Sequence, residues 1–208
     1  MSVTYLGPKG TFSEEAALNR FGKSVTAVPC ESIDQVFHKV ESGMASYGIV
    51  PVENSNEGVV GKTLDLLLQT SLKVCGEVLL PIHQCLLALH TDPGQIEKIY
   101  SHPQSLAQCH EWLNTNFPLP QAKRVVAASN AHAAMIAADD KSVAAIASKK
   151  AAEVYKLSIY AENIEDDPKN TTRFLVIGTQ DVAPSGNDKT SLSMSSRNRP
   201  GAIHELLS

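Results

Sequence analysis

The sequence lacks a long run of charge of either sign. Its formal net charge is −4 over 208 residues, and neither the basic nor the acidic residues are concentrated in one segment. Nucleic-acid-binding proteins usually carry a basic patch or stripe, so this pattern predicts no nucleic-acid partner. We therefore expect an ordinary globular chain whose partner is a small molecule.

Long hydrophobic runs are also absent. A membrane-spanning helix needs about 18 or more consecutive apolar residues, and no stretch of this sequence approaches that length. The N-terminal segment MSVTYLGPKG has neither the basic region nor the apolar region of a secretory signal. These absences predict a cytoplasmic protein without membrane contact.

Cysteine is scarce and widely spaced. No CxxC motif occurs among the four cysteines, which are Cys30, Cys75, Cys85 and Cys109. In a reducing compartment such cysteines are more often small buried side chains than disulfides. His83 with Cys85, and Cys109 with His110, have no closing pair at the spacing of a metal site. We expect no metal and, since no cofactor motif is present, no cofactor.

The sequence does contain an alternation of strand-like and helix-like segments. Apolar runs such as YGIVPV (47–52), VAAIAS (143–148) and NTTRFLVIG (170–178) are separated by helical patterns at 13–21 and near 104–115. That alternation predicts an α/β fold with largely parallel sheets. Open α/β sheets bind ligands outside the carboxyl ends of their strands, so we expect a ligand site in the loops that follow the strands.

One break in composition interrupts this pattern. QDVAPSGNDKT (180–190) is rich in turn-forming residues, which predicts a linker over about 181–189. After the linker, TSLSMSSRN has the pattern of one strand, and RPGAIHELLS that of the first turns of a helix. Residues 190–208 are too few to bury a core of their own, so we expect the chain to stop within a second module.

Two of the loops carry side chains suited to anions and hydroxyls. In GPKGTFSEE (7–15), Thr11 and Glu14 have the spacing of a capping box, so the following helix N-terminus could face an anion. ENSNEGVVG begins with Glu53, Asn54 and Ser55, an acid, an amide and a hydroxyl at the end of a strand. A helix cap and a tight turn would explain the same residues without any ligand.

Two further loops add amides, a hydroxyl and a cation. In SHPQSLAQC (101–109), Gln104 and Gln108 are four residues apart and would share one helix face, although Ser101 alone could be a helix cap. NTTRF places Thr172 and Arg173 at the mouth of an apolar run. Neighbours in a regular strand point to opposite faces, so both can enter one cleft only if the strand begins irregularly.

The segments GPKGTFSEEAA, YGIVPVENSNEGVVG, YSHPQSLAQC and NTTRFLVIG, in this order and spacing, resemble the catalytic domain of prephenate dehydratases. NRPGAIHELL resembles the opening of the ACT regulatory domain of that family. The resemblance implies a two-lobed α/β fold like that of the type II periplasmic binding proteins, with a central cleft. The catalytic domain would cover about 1–180, with lobe 1 formed by about 1–79 and 161–180, and lobe 2 by about 80–160.

The resemblance also implies a reaction, the conversion of prephenate to phenylpyruvate with loss of carbon dioxide and water. The departing hydroxyl needs a proton or a strong hydrogen bond, a role that the resemblance gives to Thr172, with Glu53 as a second candidate acid. Arg173 is expected to bind the pyruvyl carboxylate, whose charge persists, rather than the ring carboxylate, whose charge disappears. The other expected substrate-binding residues are Thr11, Asn54, Ser55, Ser101, Gln104, Gln108 and Phe174.

Two alternatives to this function stay open. Arogenate dehydratase performs the same elimination on an amino acid, and a carboxylate facing the substrate's side chain would favour it. A non-catalytic small-molecule-binding relic is the alternative from a different class. The phenylalanine-contact motif of the family corresponds to Gly201, Ala202 and Ile203, and because the ACT-like portion ends at Ser208, regulation by phenylalanine should be lost or weakened. The resemblance further implies a homodimer.

Overall fold

Strands and helices alternate along most of the chain in the computed structural model, which describes residues 1–117, 121–194 and 199–208. The strands are β1 (Ser2–Leu6), β2 (Thr26–Cys30), β3 (Tyr47–Asn54), β4 (Gly58–Val59), β5 (Lys73–Pro81), β6 (Cys85–Ala88), β7 (Lys98–Ser101), β8 (Lys123–Val126), β9 (Val143–Ala147), β10 (Ser158–Glu162) and β11 (Thr171–Gly178). The α-helices are α1 (Phe12–Phe21), α2 (Ile33–Glu41), α3 (Gly61–Leu67), α4 (Pro103–Gln108), α5 (His110–Asn116), α6 (Asn130–Asp139), α7 (Lys149–Tyr155) and α8 (Ala202–Leu207). Within the described residues, no helix has both the length and the apolar character needed to cross a bilayer. The predicted α/β fold class is confirmed.

The strands form two separate sheets. The first has the order β2-β1-β3-β11-β5, with β4 paired to β3, and the second has the order β10-β6-β9-β7-β8. β1 pairs in parallel with β2 and β3, and β7 pairs in parallel with β8 and β9. β11 lies antiparallel between β3 and β5, and β6 lies antiparallel between β10 and β9. The expectation of largely parallel sheets is therefore wrong, because the strands that flank the passages between the sheets run antiparallel to their neighbours.

The chain passes between the two sheets twice, and each sheet with its helices forms one lobe. The first passage runs from Pro81, the last residue of β5, to Cys85, the first residue of β6. The second passage runs from Glu162, at the end of β10, to Thr171, at the start of β11. The boundaries expected at about 80 and 160 fall beside these passages, and β10 belongs wholly to the second lobe.

The two passages are hydrogen-bonded to each other. The backbone N–H of Ile82 donates to the carbonyl of Asn170 at 2.8 Å, and that of Ile164 donates to the carbonyl of Gln84 at 3.0 Å. We call the paired segments 82–84 and 163–170 the hinge ribbon. Because both of its segments connect the two lobes, the hinge ribbon forms the base of the space between them.

The core of the first lobe lies on both faces of its sheet. Along β11, Phe174 and Val176 pack in the cluster that contains α1, whereas Leu175 and Ile177 pack in the cluster that contains α2. Successive side chains of a strand point to opposite faces, so a strand covered on both sides must be apolar throughout. This explains the unbroken apolar run after NTTR.

The second lobe repeats this arrangement with smaller side chains. Every residue of β9 is buried. Ala145 and Ala147 contribute to the cluster under α6 and α7, and Ala144 and Ile146 contribute to the cluster on the other face. Alanine on both the strand and α6 allows helix and sheet to approach closely, as the alanine-rich sequence of this region suggests.

Two predicted elements differ from the structure. The helix expected near 104–115 is two helices, because α4 ends at Gln108 and α5 begins at His110 after the non-helical Cys109. The strand expected in TSLSMSSRN is absent over 190–194, and its remaining part lies outside the described residues. The expected helix is present as α8, preceded by Gly201 with a φ of 82°. The assignment of 190–208 to an ACT domain stays a prediction.

Candidate active site

A cleft of about 340 Å³ lies between the lobes, above the hinge ribbon. Leu6 closes β1, Asn54 closes β3, and His102 directly follows β7, and all three line the cleft. The N-terminal ends of α1 and α6 reach it from opposite lobes. The cleft therefore occupies the position at the carboxyl ends of strands where α/β sheets bind ligands.

Asn54 connects the first lobe to the hinge ribbon. Its Nδ2 donates to Thr172 Oγ1 at 2.8 Å and to Asn170 Oδ1 at 2.9 Å. β3 and β11 are paired so that Asn54 lies directly opposite Thr172. Asn170 is only 2 % exposed, so this amide cluster is anchored in the interior rather than in a loose loop.

The network continues across the cleft to α4. Asn170 Nδ2 donates to Gln108 Oε1 at 3.3 Å, and Gln108 Nε2 lies 3.5 Å from Glu57 Oε1. The other carboxylate oxygen of Glu57 accepts a hydrogen bond from Gln104 Nε2. Gln104 and Gln108 thus share one helix face, as their spacing predicts, and the two amides hold a carboxylate from the opposite lobe.

The hydroxyl of Thr172 is left free to act as a donor. A threonine oxygen has two lone pairs and one proton, and Asn54 Nδ2 occupies a lone pair. The proton of Thr172 has no acceptor among the described residues. Since Thr172 lines the cleft, its O–H can donate to a bound ligand.

A second polar network lies in the other lobe. Asn130, at the start of α6, accepts from Ser101 Oγ at 2.9 Å and from the backbone N–H of His102 at 3.1 Å. Its Nδ2 donates to Ser105 Oγ at 2.8 Å and to Gln84 Oε1 at 3.4 Å. Asn130 therefore ties the end of β7, the start of α4 and the hinge ribbon together.

Ser105 lines the cleft and carries a second hydroxyl group whose proton has no acceptor among the described residues. Its Oγ accepts from both Asn130 Nδ2 and Gln84 Nε2, the latter at 3.2 Å, so both lone pairs are occupied. Ser101, by contrast, is fully buried and donates to Asn130 or to the carbonyl of Ile146, each at 2.9 Å. Ser101 therefore supports the cleft from below and does not line it.

Among the described residues that line the cleft, Glu57 carries the only carboxyl group. Its backbone N–H donates to Asn54 Oδ1 at 3.2 Å, so the amide that positions Thr172 also positions the loop of Glu57. Partial burial raises the pKa of Glu57, although the electrostatic interaction with His102 and the hydrogen bond from Gln104 oppose this. Glu57 is thus biased towards the protonated form relative to a carboxyl group in water.

Glu53 and Arg173 lie away from the cleft, contrary to the expectation from the sequence. They are paired with each other across β3 and β11, one position before Asn54 and one position after Thr172. Thr172 and Arg173 both belong to the regular strand, and the register shift comes only after Arg173, so strand alternation sends their side chains to opposite faces. Glu53 is exposed, and neither Glu53 nor Arg173 lines the cleft.

Arg173 instead belongs to an ion-pair cluster on the face of the first sheet opposite to that of Thr172. Its Nε donates to Glu77 Oε2 at 2.8 Å, and the other oxygen of Glu77 accepts from Lys189. The hydrogen bond from Lys189, followed by that from Arg173, lowers the pKa of Glu77, while burial opposes the shift. This cluster attaches residues 182–191 to the sheet around a cavity of about 730 Å³. We regard that cavity as a junction between sheet and linker, since the convergent amides and hydroxyls lie in the smaller cleft.

Three further residues from the sequence analysis have mixed placements. Thr11 lines the cleft and caps α1, because its Oγ1 accepts from the backbone N–H of Glu14 at 3.4 Å. Ser55 lies beside the cleft, where its Oγ donates to Asn170 Oδ1 at 3.3 Å. Phe174 is 2 % exposed in the core under α1 and does not line the cleft, where Phe12 supplies an aromatic ring instead.

The lobes also touch at a second point, where the loop before α1 meets α7. The Oγ of Ser148 donates to the carbonyl of Gly10 at 3.0 Å, and Tyr155 donates to the carbonyl of Lys9 at 3.0 Å. Gly10 has a φ of +84°, and a methyl group there would lie 3.1 Å from Ala151 Cα. Only glycine therefore allows this close approach without strain.

Sequence reasoning missed Glu57, Asn170, Gln84 and Asn130. Glu57 was not predicted because ENSNEG has the composition of an ordinary turn. Asn170 was not predicted because Thr172 and Arg173, which follow it, were taken as the functional residues of NTTRF. Asn130 sits at the start of a helix, where an amide has an ordinary capping explanation. The one available signal was Gln84, an amide that together with His83 interrupts the apolar run PIHQCLLAL.

Among the described residues, neither lysine nor arginine lines the cleft. A bound ligand therefore meets no ammonium or guanidinium group from this lining. The backbone N–H groups at the N-terminal ends of α1 and α6 are therefore the groups in the lining that favour an anion. An amide-rich cleft with free hydroxyl donors suits a small, oxygen-rich anion. A family model described as prephenate dehydratase matches residues 3–182. The chain belongs to the prephenate dehydratase family.

Named relatives agree with this assignment. A bifunctional chorismate mutase/prephenate dehydratase from Stutzerimonas stutzeri is 52% identical over 208 residues, which is 100% of this chain and 56% of the relative. An arogenate dehydratase/prephenate dehydratase from Arabidopsis thaliana is 38% identical over 99% of this chain and 54% of its own length. The chain thus spans little more than half the length of these prephenate dehydratase family members.

A solved structure supports the fold of this prephenate dehydratase family member. The crystal structure of prephenate dehydratase in complex with L-Phe, from Arthrobacter aurescens, superposes with a TM-score of 0.84 at 32% identity. The match covers 100% of this chain and 71% of the other. The two-lobed arrangement described above is therefore that of a prephenate dehydratase.

Proposed function

We propose that this chain catalyses the dehydration and decarboxylation of prephenate to phenylpyruvate. The observation that carries the proposal is the amide network that runs from Asn54 through Asn170 to Gln108 and leaves the hydroxyl of Thr172 to donate into the cleft. A ligand-binding relic would not need a preoriented donor of this kind. The family membership and the geometry of the cleft support the same activity.

The cleft offers complementary surfaces to a dianion with an apolar ring. Phe12, Ile82 and Val60 supply apolar contacts, and the N-terminal ends of α1 and α6 supply backbone amides for carboxylates. We place the pyruvyl carboxylate at one of these helix ends. The ring carboxylate then meets no arginine or lysine from the described lining. This favours the reaction, because a cation there would stabilise the ground state more than the transition state, in which the negative charge is disappearing.

Thr172 acts on the departing hydroxyl group of the substrate. As the ring carboxylate departs, its bonding electrons move through the ring and expel the hydroxyl at the opposite carbon. The O–H of Thr172 donates a hydrogen bond to that departing oxygen, and Asn54 fixes the orientation of the donor. Prepositioned donors of this type typically contribute about 10²–10³ to the rate.

Arogenate is the second candidate substrate. It carries an ammonium group where prephenate carries a keto group, and Glu57 places a carboxylate in the cleft that could pair with it. Relatives with arogenate dehydratase names are found at 38–40% identity. Turnover of each substrate must therefore be measured in parallel.

The test is to incubate the purified chain with prephenate at neutral pH and to follow phenylpyruvate by its enol absorbance in base. Thr172→Ala should lower kcat by at least about 10²-fold, whereas Thr172→Ser should retain much of the activity because it keeps the hydroxyl. Thr171→Ala is the matched control, since Thr171 precedes Thr172 and its hydroxyl, among the residues that the structure describes, donates to nothing but the carbonyl of Lys169. It should leave kcat within about twofold.

The outcomes separate the candidates. Turnover of prephenate that collapses only in Thr172→Ala supports the proposal. Preferred turnover of arogenate would identify that amino acid as the substrate. Binding of prephenate by a folded chain without any turnover would instead favour a binding protein. A cytoplasmic location and a homodimer stay predictions from the family resemblance.

A further inference from the structure

The proposed reaction consumes a proton at every turnover. A prephenate dianion and one proton become phenylpyruvate, carbon dioxide and water, so the departing hydroxyl leaves as neutral water. An aliphatic hydroxyl such as that of Thr172 is a strong hydrogen-bond donor but a poor acid. The proton must therefore come from a more acidic group that can be recharged from solvent.

Glu57 meets the geometric requirements for that group. It is the sole carboxyl in the described lining of the cleft, and it shares the cleft with Thr172. Its two oxygens are held by Gln104 and Gln108, and its backbone is held by Asn54. The carboxyl group is thereby oriented by two amides, and its loop is held by the same Asn54 that orients Thr172.

Resting on the function proposed above, we propose that Glu57 is the catalytic acid that protonates the departing hydroxyl. The bond from the ring to its carboxylate breaks, and the electron pair enters the ring as a π bond. The carbon–oxygen bond at the opposite carbon breaks, and the proton of Glu57 joins the departing oxygen to form water. Glu57 is left as a carboxylate, which takes its next proton from solvent.

The surroundings of Glu57 suit both steps. Partial burial raises its pKa, which keeps more of the carboxyl protonated near neutral pH than in water. Its side chain is nonetheless exposed at the cleft mouth, so water can return the proton. His102, at the start of α4, is the titratable group that acts on Glu57 from the facing lobe, and the remaining partners of the carboxyl are the neutral amides of Gln104 and Gln108.

Glu57→Gln is the direct test, because glutamine keeps the size of the side chain and can still accept a hydrogen bond from Gln104. We expect kcat for prephenate to fall by about 10²–10⁴-fold with little change in KM. Wild-type kcat should fall as the pH rises above the pKa of Glu57, and this decline should disappear from the residual activity of Glu57→Gln. Glu97→Gln, an exposed glutamate outside the cleft lining, is the matched control.

A second variant separates proton donation from structural support. Glu57→Ala removes the acid and leaves space for a small carboxylic acid, so added formate should restore part of the lost kcat. A purely structural role would not respond to formate. Circular dichroism and a thermal melt on each variant establish that it is folded before its kinetics are compared.

Each result decides the proposal. Loss of kcat in Glu57→Gln, loss of the pH decline and rescue by formate support it. Unchanged kcat for prephenate in Glu57→Gln overturns it, as does a change confined to KM for arogenate, which would make Glu57 an ammonium ligand. A larger loss in Glu53→Gln than in Glu57→Gln would also overturn it. If the wild-type chain converts neither substrate, the proposed function itself fails, and the role of Glu57 fails with it. That result comes from the wild-type assay alone, so it is distinguished from a failure seen only in the Glu57 variants.

Discussion

Asn54 Nδ2 lies 2.8 Å from Thr172 Oγ1, and it is the donor in that contact. This single direction of donation determines what Thr172 can do, because the threonine proton must then go elsewhere. Asn54 also donates to Asn170 Oδ1, so turning away would remove the shorter of the two hydrogen bonds that this oxygen accepts. Asn54 is therefore a positioning residue for the proposed reaction.

Replacing Asn54 tests this relationship. Asn54→Ala should lower kcat for prephenate by roughly 10²-fold, because a donor displaced by about an ångström loses its alignment with the departing oxygen. Asn56→Ala, in the same turn but outside the cleft lining, should retain normal kcat. Steady-state kinetics on both variants would contradict our interpretation if they lost activity equally, since the loss would then belong to the turn rather than to the amide.

The placement of Arg173 gives a second prediction. Arg173→Gln breaks the contact with Glu77, so the linker at 182–191 should be cleaved faster by a nonspecific protease. The stability change should be small, about 0–1 kcal/mol, because both side chains are partly exposed. KM for prephenate is the decisive measurement, and a rise of more than tenfold would show that Arg173 binds the substrate after all.

Acid should release the same contact. The pKa of Glu77 is lowered in the folded chain, so the stabilisation is present above the ordinary pKa of a carboxyl group and is lost as the pH falls through the lowered value. Protease cleavage of the linker, compared between wild type and Glu77→Gln, should therefore become equal only in strong acid. A difference that persisted there would point to another attachment.

The close contact at Gly10 provides a fourth prediction. Gly10→Ala should lower the free energy of unfolding by about 2–3 kcal/mol, because an unfavourable φ and a crowded methyl group act together. Gly43 is the matched control, since it also has a positive φ but would place its methyl group in open space. Gly43→Ala should cost only about 1–2 kcal/mol. Urea unfolding of both variants measures the difference, and equal losses would mean that lobe contact contributes nothing.

Much of the fold and part of the site follow from sequence patterns. The alternation of apolar runs and helical segments predicted an α/β fold, and the segments at the strand ends did bring Asn54, Gln104, Gln108 and Thr172 to one cleft. These predictions succeed because they depend on local periodicity and on the general geometry of open sheets. Their proposed roles in binding and catalysis are for the kinetic tests to decide.

The direction of individual side chains could not be predicted in the same way. Glu53 and Arg173 were assigned to the cleft, but the register of β3 against β11 turns both away from it. A strand pattern gives two alternate faces without saying which one meets the ligand, and a slip of one residue exchanges them. The position of Asn170 could not be predicted for a related reason, since a segment that connects two lobes lacks the periodic pattern of a helix or strand.

The hinge ribbon has a mechanical consequence. Its two segments are tied together by hydrogen bonds, so they define an axis about which one lobe can turn relative to the other. Asn170 lies in this ribbon and Thr172 follows just after it, and points beside an axis travel least when a body rotates. Opening the cleft about this axis would therefore separate Glu57 from Gln104, whereas Thr172 would move little. The residue proposed to donate to the departing oxygen thus lies at the part of the structure that is displaced least.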